Sequence, residues 1–296
     1  MSEAAGDPGR IAGQTPRLDG RTALVTGGGT GIGKAIAFAL AEAGAVVTIC
    51  GPDADMLADA CAESVAAGWG ELRAATADVT DEEQITAAVD VASRDGALDI
   101  AVANAGVARP GSLLHLTADD WMGPIGVNVL GTALTIKSAA RAMRAKGGSI
   151  VTISSIAAVR PVAFMVAYSV SKAALDELTR CAAAELGRFG IRVNGVRPGW
   201  MRTEAGAAAA ASDANQALIR ASTPLAGSGA ADDPLGDPAY VARAVVYLAS
   251  DQAAWTTGQL LGVCGGSSLP PPAGDFGYVA RMLYPGEMAR DFAGPE

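Results

Sequence analysis

Thr22–Gly33 reads T-A-L-V-T-G-G-G-T-G-I-G, a short apolar run that stops at a cluster of glycines. The run has the composition of a buried strand, and Lys34–Ala43 beyond it has a helical pattern. A strand, a glycine turn and a helix in that order aim bare backbone amides from a helix N-terminus, which suits a diphosphate. Two familiar spacings can be tried on it. G-x-G-x-x-G fails, because from Gly27 its last position falls on Ile32. The P-loop spacing nearly fits Gly28–Lys34, but the next residue is Ala35, so the hydroxyl that would hold magnesium is missing. The bland alternative is a glycine-rich turn that binds nothing.

The same alternation runs on through the chain. Further strands are expected at Ala45–Cys50, Leu72–Ala77, Leu98–Ala103, Ser149–Ser154, Arg192–Arg197 and Gly258–Val263. Helices are expected at Asp53–Ala67 with Asp53 as N-cap, at Asp81–Arg94, over Thr117–Ala145 with an interruption at Gly123–Pro124, at Ala167–Arg188 and at Ala239–Ala249. Short apolar strands alternating with longer helices predict an α/β fold, a doubly wound parallel sheet covered on both faces. Nothing between residues 18 and 266 reads as a linker, so a single domain is expected there. Residues 1–17, rich in Gly, Pro and Ala, read as a flexible tail, and 204–238 as a substrate lid or mobile loop. Residues 267–296 carry Phe276, Tyr278, Tyr284 and Phe292, and are expected to pack on the domain or on a neighbouring subunit.

Composition narrows the function. A net charge of −9 argues against nucleic acid and against an anionic membrane surface. Cys50, Cys61, Cys181 and Cys264 form no C-x-x-C pair, and His115 is the chain's one histidine, so no metal site is expected. No signal core and no apolar run near ~20 residues is present, which predicts a cytoplasmic protein.

The candidate chemistry lies at Tyr168–Lys172, Y-S-V-S-K, where a phenol and an ammonium four residues apart share a helix face. Alone that spacing is common on helix surfaces. Ser155 lies thirteen residues upstream, where the strand Ser149–Ser154 runs into a loop. A hydroxyl, a phenol and an ammonium would then converge at the carboxyl end of a strand.

With these residues in place, the spacing T-G-x-x-x-G-x-G resembles that of the short-chain dehydrogenase/reductase family in its single-domain form. The likeness runs from Leu18 to Gly266 and takes in Asp78, Asn104-Ala105-Gly106, Asn128, Pro198-Gly199 with Thr203, Tyr247–Asp251 and Thr257–Gln259. The resemblance implies a Rossmann-type sheet of about seven strands. It implies an NAD(P)-dependent oxidoreductase that moves hydride between the nicotinamide and a secondary alcohol or ketone. The implied catalytic set is Asn128, Ser155, Tyr168 and Lys172: Tyr168 transfers the proton, Ser155 polarises the substrate oxygen, Lys172 lowers the phenol pKa and holds the ribose, and Asn128 positions a water. The implied cofactor contacts are Gly27, Thr30, Gly31, Ile32 and Gly33 at the pyrophosphate turn, Asp78 and Val79 at the adenine, and Asn104, Ala105 and Gly106 beside the cofactor. Pro198, Gly199 and Thr203 complete them, with Thr203 at the carboxamide.

The chain departs from the family where cofactors are told apart. Gly51 stands where NAD-preferring relatives carry an acid, Pro52 where NADP-preferring ones often carry Arg, and Thr30 supplies no cation. NAD or NADP is therefore expected, leaning to NAD because no phosphate partner is visible. Cys264 stands where relatives often have Asp, which puts a local subunit contact in question.

Ala157, Ala158, Val159, Pro161, Phe164, Met165, Trp200 and Met201 are expected to line an apolar substrate pocket, for a steroid, terpenoid, acyl group or cyclic alcohol. A 3-oxoacyl-thioester reductase is the alternative, though an acidic enzyme suits an acidic carrier only through patches such as Arg141, Arg144 and Lys146. A non-catalytic dinucleotide-binding regulator is a further one, and the intact phenol argues against it. Family resemblance implies a homo-oligomer, a tetramer, through the helices around Val127–Ala145 and Ala167–Arg188.

Overall fold

The computed structural model describes residues 16–226 and 233–269; the expectations for the tail before residue 16 and for the segment beyond 269 lie outside the described residues. Seven strands form one sheet: β1 (Thr22–Thr26), β2 (Val46–Gly51), β3 (Arg73–Thr76), β4 (Ile100–Ala103), β5 (Gly148–Ile153), β6 (Ile191–Pro198) and β7 (Leu260–Val263). Their order is β3-β2-β1-β4-β5-β6-β7, every pair parallel. β1 and β4 are buried throughout, as central strands covered on two faces must be.

One apolar layer joins Val25, Ile49, Val102 and Val151 to α1 (Gly31–Glu42) and α9 (Pro238–Ala249). The opposite layer joins Leu24, Ala101 and Ile150 to α3 (Glu82–Ala92), α5 (Thr132–Met143) and α6 (Val166–Leu186). Successive strand residues supply opposite layers, which is the period-two alternation of the pleat. The order reverses between β1 and β4, and the carboxyl ends of those strands open the crevice where doubly wound sheets hold ligands.

The expected strands and long helices are all present, differing at their ends, with α2 (Ala54–Ala66) capped by Asp53 as anticipated. Two regions differ in kind. Helical winding runs unbroken through Gly123–Pro124, from α4 (Ala118–Pro124) through a π-helical stretch, Ile125–Gly131, into α5. Pro124 has no N–H to give to the preceding turn, and a wider winding accommodates that loss without ending the helix. The stretch read as irregular holds α7 (Glu204–Ala209), capped by Thr203, and α8 (Asp213–Ser222), capped by Ser212. α7 is mostly alanine and carries helix propensity, and α8 adds an apolar face that buries Ile219. Ala210, Ile219 and Leu235 pack there with Trp200 as a small cluster of their own.

Candidate active site

At the turn after β1 the glycines are required by space. A Cβ on Gly33 would stand 2.0 Å from the Gly27 carbonyl oxygen, and one on Gly28 would stand 2.6 Å from Ile49 Cβ. Gly27 and Gly31 have φ of 63° and 52°, left-handed values that other residues adopt at a cost. Thr30 is the N-cap of α1 yet makes no side-chain cap bond, whereas Asp53, Asp81 and Thr117 cap α2, α3 and α4. The first-turn amides of α1 are thus left to a ligand, and a dinucleotide diphosphate fits both the bare cradle and the uncapped helix end.

The turn is braced from β4. Thr26 Oγ1 accepts from the amides of Asn104 and Ala105, both at 3.0 Å, and Asn104 Nδ2 donates to the carbonyls of Thr26 and Gly27 at 3.0 and 3.2 Å. Asn104 therefore shapes the cradle as well as lining the crevice beside it. Thr26 opens the T-G-x-x-x-G-x-G spacing, but its part as the acceptor for these two amides is not foreseen from the sequence. Thr203 stands across the turn, its Cγ2 at 3.4 Å from where a Gly31 Cβ would be, and its hydroxyl accepts from Gly206 N at 3.2 Å. Asp78 is exposed beyond the end of β3, its Oδ1 bonded to Thr80, while Val79 is buried against Gly131.

Ser155, Tyr168 and Lys172 meet as expected. The Ser155 hydroxyl accepts from Ala157 N at 3.1 Å, which caps a short turn, Ile156–Ala158, just past β5. Tyr168 and Lys172 project from α6, with the Lys172 Nζ 5.7 Å from the centre of the Tyr168 ring. Lys172 is buried and donates to the Ile153 carbonyl at 2.8 Å. Burial lowers its pKa to about 8, with the carboxylate of Asp176 acting against the fall. The phenol differs from expectation. Burial pushes the Tyr168 pKa up, and the hydrogen bond from Ser155, rather than the Lys172 charge, pulls it back. With its pKa near 8, Lys172 has given up its proton before a phenol raised above its usual value titrates, so it offers no charge at that point.

Asn128 sits in the π-helical stretch, fully buried. Its Oδ1 accepts from Val107 N at 2.8 Å, and its Nδ2 donates to Val107 O at 2.9 Å and to Ser171 Oγ at 2.8 Å. This side chain ties the loop after β4 to α6. Ser154, the other serine at this strand end, is buried and bonds the Lys172 carbonyl at 3.4 Å.

These groups open into one cavity of about 880 Å³. Ile32, Asn104, Gly106, Pro198, Gly199 and Thr203 line it, together with Ser155, Tyr168 and Lys172. A Cβ on Gly106 would lie 3.3 Å from Lys172 Nζ, so this glycine keeps the approach to the ammonium clear. Of the expected pocket residues, Ala157, Pro161, Met165, Trp200 and Met201 line the cavity. Ala158, Val159 and Phe164 do not; Val159 and Phe164 face outward, and Phe164 has a left-handed φ of 62°. Arg160, Val162 and Ala205 line it without having been singled out by sequence.

The arrangement of fold and site has known counterparts. Residues 27–268 match a family model described as enoyl-(acyl carrier protein) reductase. The chain is 41% identical over 252 residues to cis-4-hydroxycyclohexanecarboxylate dehydrogenase of Sinomonas cyclohexanicum, covering 83% of this chain and 96% of that one. A solved 7 alpha-hydroxysteroid dehydrogenase, complexed with NADH and 7-oxo glycochenodeoxycholic acid, superposes with a TM-score of 0.77 at 36% identity, over 84% of this chain and 95% of the other. A gluconate 5-dehydrogenase from Burkholderia cenocepacia, in complex with NADP and tartrate, gives a TM-score of 0.78 at 34% identity over 86% and 97%. The chain belongs to the short-chain dehydrogenase/reductase family. It is an NAD(P)-dependent oxidoreductase acting on a CH–OH group or the matching carbonyl, and the comparisons do not favour the thioester alternative. Among the described residues no helix is long and apolar enough to cross a membrane.

Proposed function

We propose that the protein interconverts a secondary alcohol on a ring system and its ketone, with Tyr168 as the proton-transferring group. The observation that carries this is the shared cavity wall: Ser155 faces the Tyr168 phenol, and Lys172 lies buried behind it. The relatives named for a hydroxycyclohexane carboxylate and a hydroxysteroid support a ring substrate, as does the mostly apolar lining.

A nicotinamide dinucleotide bound in the crevice supplies or accepts the hydride. Gly27, Thr30, Gly31, Ile32 and Gly33 would cradle its diphosphate, Asp78 and Val79 its adenine, and Asn104, Ala105, Gly106, Pro198, Gly199 and Thr203 its nicotinamide half. Tyr168 gives a proton to the oxygen of a carbonyl as charge develops there, and takes it back in the oxidative direction. Ser155 donates a hydrogen bond to that same oxygen. Lys172 holds positive charge beside the phenol and reaches a ribose past Gly106. Asn128 acts as a positioning residue, since it fixes Val107 against Ser171.

NAD is the better cofactor in this reading. The Asp53 carboxylate that caps α2 would repel a 2′-phosphate, and Lys34 is paired with Glu63 at 2.7 Å and is not set to receive one. α7 and α8 serve as a cover, because Ala205, Gly206, Ala208, Ala209 and Ser222 line the cavity. A homo-oligomer fits the groove between α5 and α6, where Ile136, Ala140 and Leu178 are ringed by Arg141, Arg144 and Glu185.

The test is a screen of cyclic ketones and alcohols with both cofactors, on the wild type and Tyr168→Phe. The variant should lose nearly all turnover and keep its affinity for the cofactor. Turnover that survives the loss of the hydroxyl would remove Tyr168 from the mechanism.

A further inference from the structure

Arg160 is the charged side chain in the cavity that the chemistry above does not use. Among the described residues lining that cavity, Arg160 and Lys172 alone carry charge, both are cationic, and no carboxylate lies among them. Lys172 is held at the reacting end by Ile153 O. Arg160 stands further along the same wall: Ser155 caps the turn Ile156–Ala158, and Arg160 N closes onto Ile156 O at 2.8 Å. Ser155 and Arg160 are thus separated by one turn of backbone and both line the cavity.

The guanidinium is half-buried and lightly engaged. Its Nη1 donates to the Ser267 carbonyl at 2.5 Å, one of five N–H donors that an arginine carries. Arg17, Arg21, Lys34, Arg180, Arg197 and Arg202 each pair with a carboxylate; among the described residues Arg160 has no such partner. Its neighbours in the wall, Ala157, Pro161, Val162 and Met165, offer it no acceptor side chain. A partly desolvated cation in an apolar pocket gains most from an anion that can take two parallel N–H bonds.

We infer that the substrate of this enzyme carries a carboxylate, remote from its reacting carbon, which Arg160 binds through the donors not committed to Ser267. This rests on the alcohol/ketone reading above and adds the polar end of the substrate to it. The apolar stretch of wall between Ser155 and Arg160 takes the hydrocarbon body, and the two ends set its direction in the cavity. A carboxylate at neutral pH is ionised and arginine is always charged, so recognition holds across the working range.

The probes are cyclic ketones bearing a carboxylate on the ring or at the end of a short or a longer alkyl tail, each beside its methyl ester. The wild type should prefer at least one acid over its ester by about 10-fold or more in kcat/KM, as hydrogen bonds to a charged group allow. Arg160→Met should collapse that ratio to near one, chiefly through the KM of the acid, and Arg160→Lys should restore part of it. A merely structural clamp on Ser267 would slow acid and ester alike, leave the ratio standing, and overturn the proposal. So would a wild type indifferent to the carboxylate, or a variant whose defect lies in the KM for the cofactor. If the wild type reduces neither acids nor esters with NADH or NADPH, the alcohol/ketone reading falls and takes this inference with it. Turnover of the esters without preference for any acid sinks the inference alone.

Discussion

Lys172 Nζ donates to the Ile153 carbonyl at 2.8 Å, so the last residue of β5 holds the ammonium of α6 inside the protein. One carbonyl does not replace the water shell, which is why burial lowers the lysine from 10.5 to about 8. In the unfolded chain the proton stays on up to about 10.5, and in the folded one it leaves near 8. Between those values the unfolded state binds more protons, so this group's contribution to stability rises with pH; below 8 both states are charged and the burial cost is felt in full. The cofactor-free wild type should therefore gain on Lys172→Met by roughly 3 kcal/mol between pH 7 and 10.5 in urea unfolding. A difference that stays flat with pH would mean the lysine is better solvated than its surroundings indicate.

Ser155 has two tasks that one substitution separates. Its hydroxyl oxygen caps the turn after β5, and its proton favours the phenolate of Tyr168 against burial. Ser155→Ala should lower kcat by about 10²–10³-fold, the usual loss for one donor to a developing oxyanion. It should also move the rising limb of the alcohol-oxidation profile to higher pH, because the phenol then keeps its proton longer. Ser155→Thr, which retains a hydroxyl, should keep the limb near its wild-type place. A limb unmoved in the alanine variant would show that Ser155 does not touch the phenol's titration.

The sequence carried the parts of the site that depend on spacing along one element. Tyr168 and Lys172 share α6 because four residues nearly complete a turn, and Gly27 to Gly33 announce the cradle because only glycine clears Ile49 and the Gly27 carbonyl. What it withheld depends on contacts between elements. Thr26 earns its role from amides of the loop after β4, and Asn128 from Val107 and Ser171. Phe164 looks like a pocket residue by composition, yet it is exposed in a loop at positive φ, where its carbonyl accepts from Gly111 N. Arg160 was hidden in plain composition: an arginine in a loop says nothing until the wall around it is known to be apolar.

Gly33→Ala tests the cradle directly. Its new Cβ would meet the Gly27 carbonyl oxygen at 2.0 Å and Asn104 Nδ2 at 2.4 Å, so backbone must move. Overpacking of this kind costs ~1–3 kcal/mol, and spent on the diphosphate turn it should weaken cofactor binding ~10–100-fold by calorimetry. Gly126→Ala is the control, since a Cβ there meets nothing within 4 Å. Equal cofactor affinities in the two variants would detach the turn from cofactor binding.

The last prediction concerns the ground under Lys172. Asp176, one turn further along α6, is buried and receives both Nε and Nη2 of Arg197 on Oδ2, at 2.8 and 2.7 Å, while its Oδ1 has no partner among the described residues. Arg197 projects from β6, so the pair pins α6 to the sheet. Removing one partner strands a buried charge: Arg197→Met should cost roughly 3–5 kcal/mol in chemical denaturation. Replacing both, Asp176→Leu with Arg197→Met, should recover most of that stability, because two apolar side chains of similar volume need no water shell. The double variant should nevertheless differ from wild type in its pH profile, since Asp176 acts against the fall of the Lys172 pKa. Without it Lys172 should release its proton at lower pH, and activity that needs the ammonium should fall earlier on the alkaline side. A double variant with full stability and an unchanged alkaline limb would make the ion pair a fastening alone, with no hand in the chemistry.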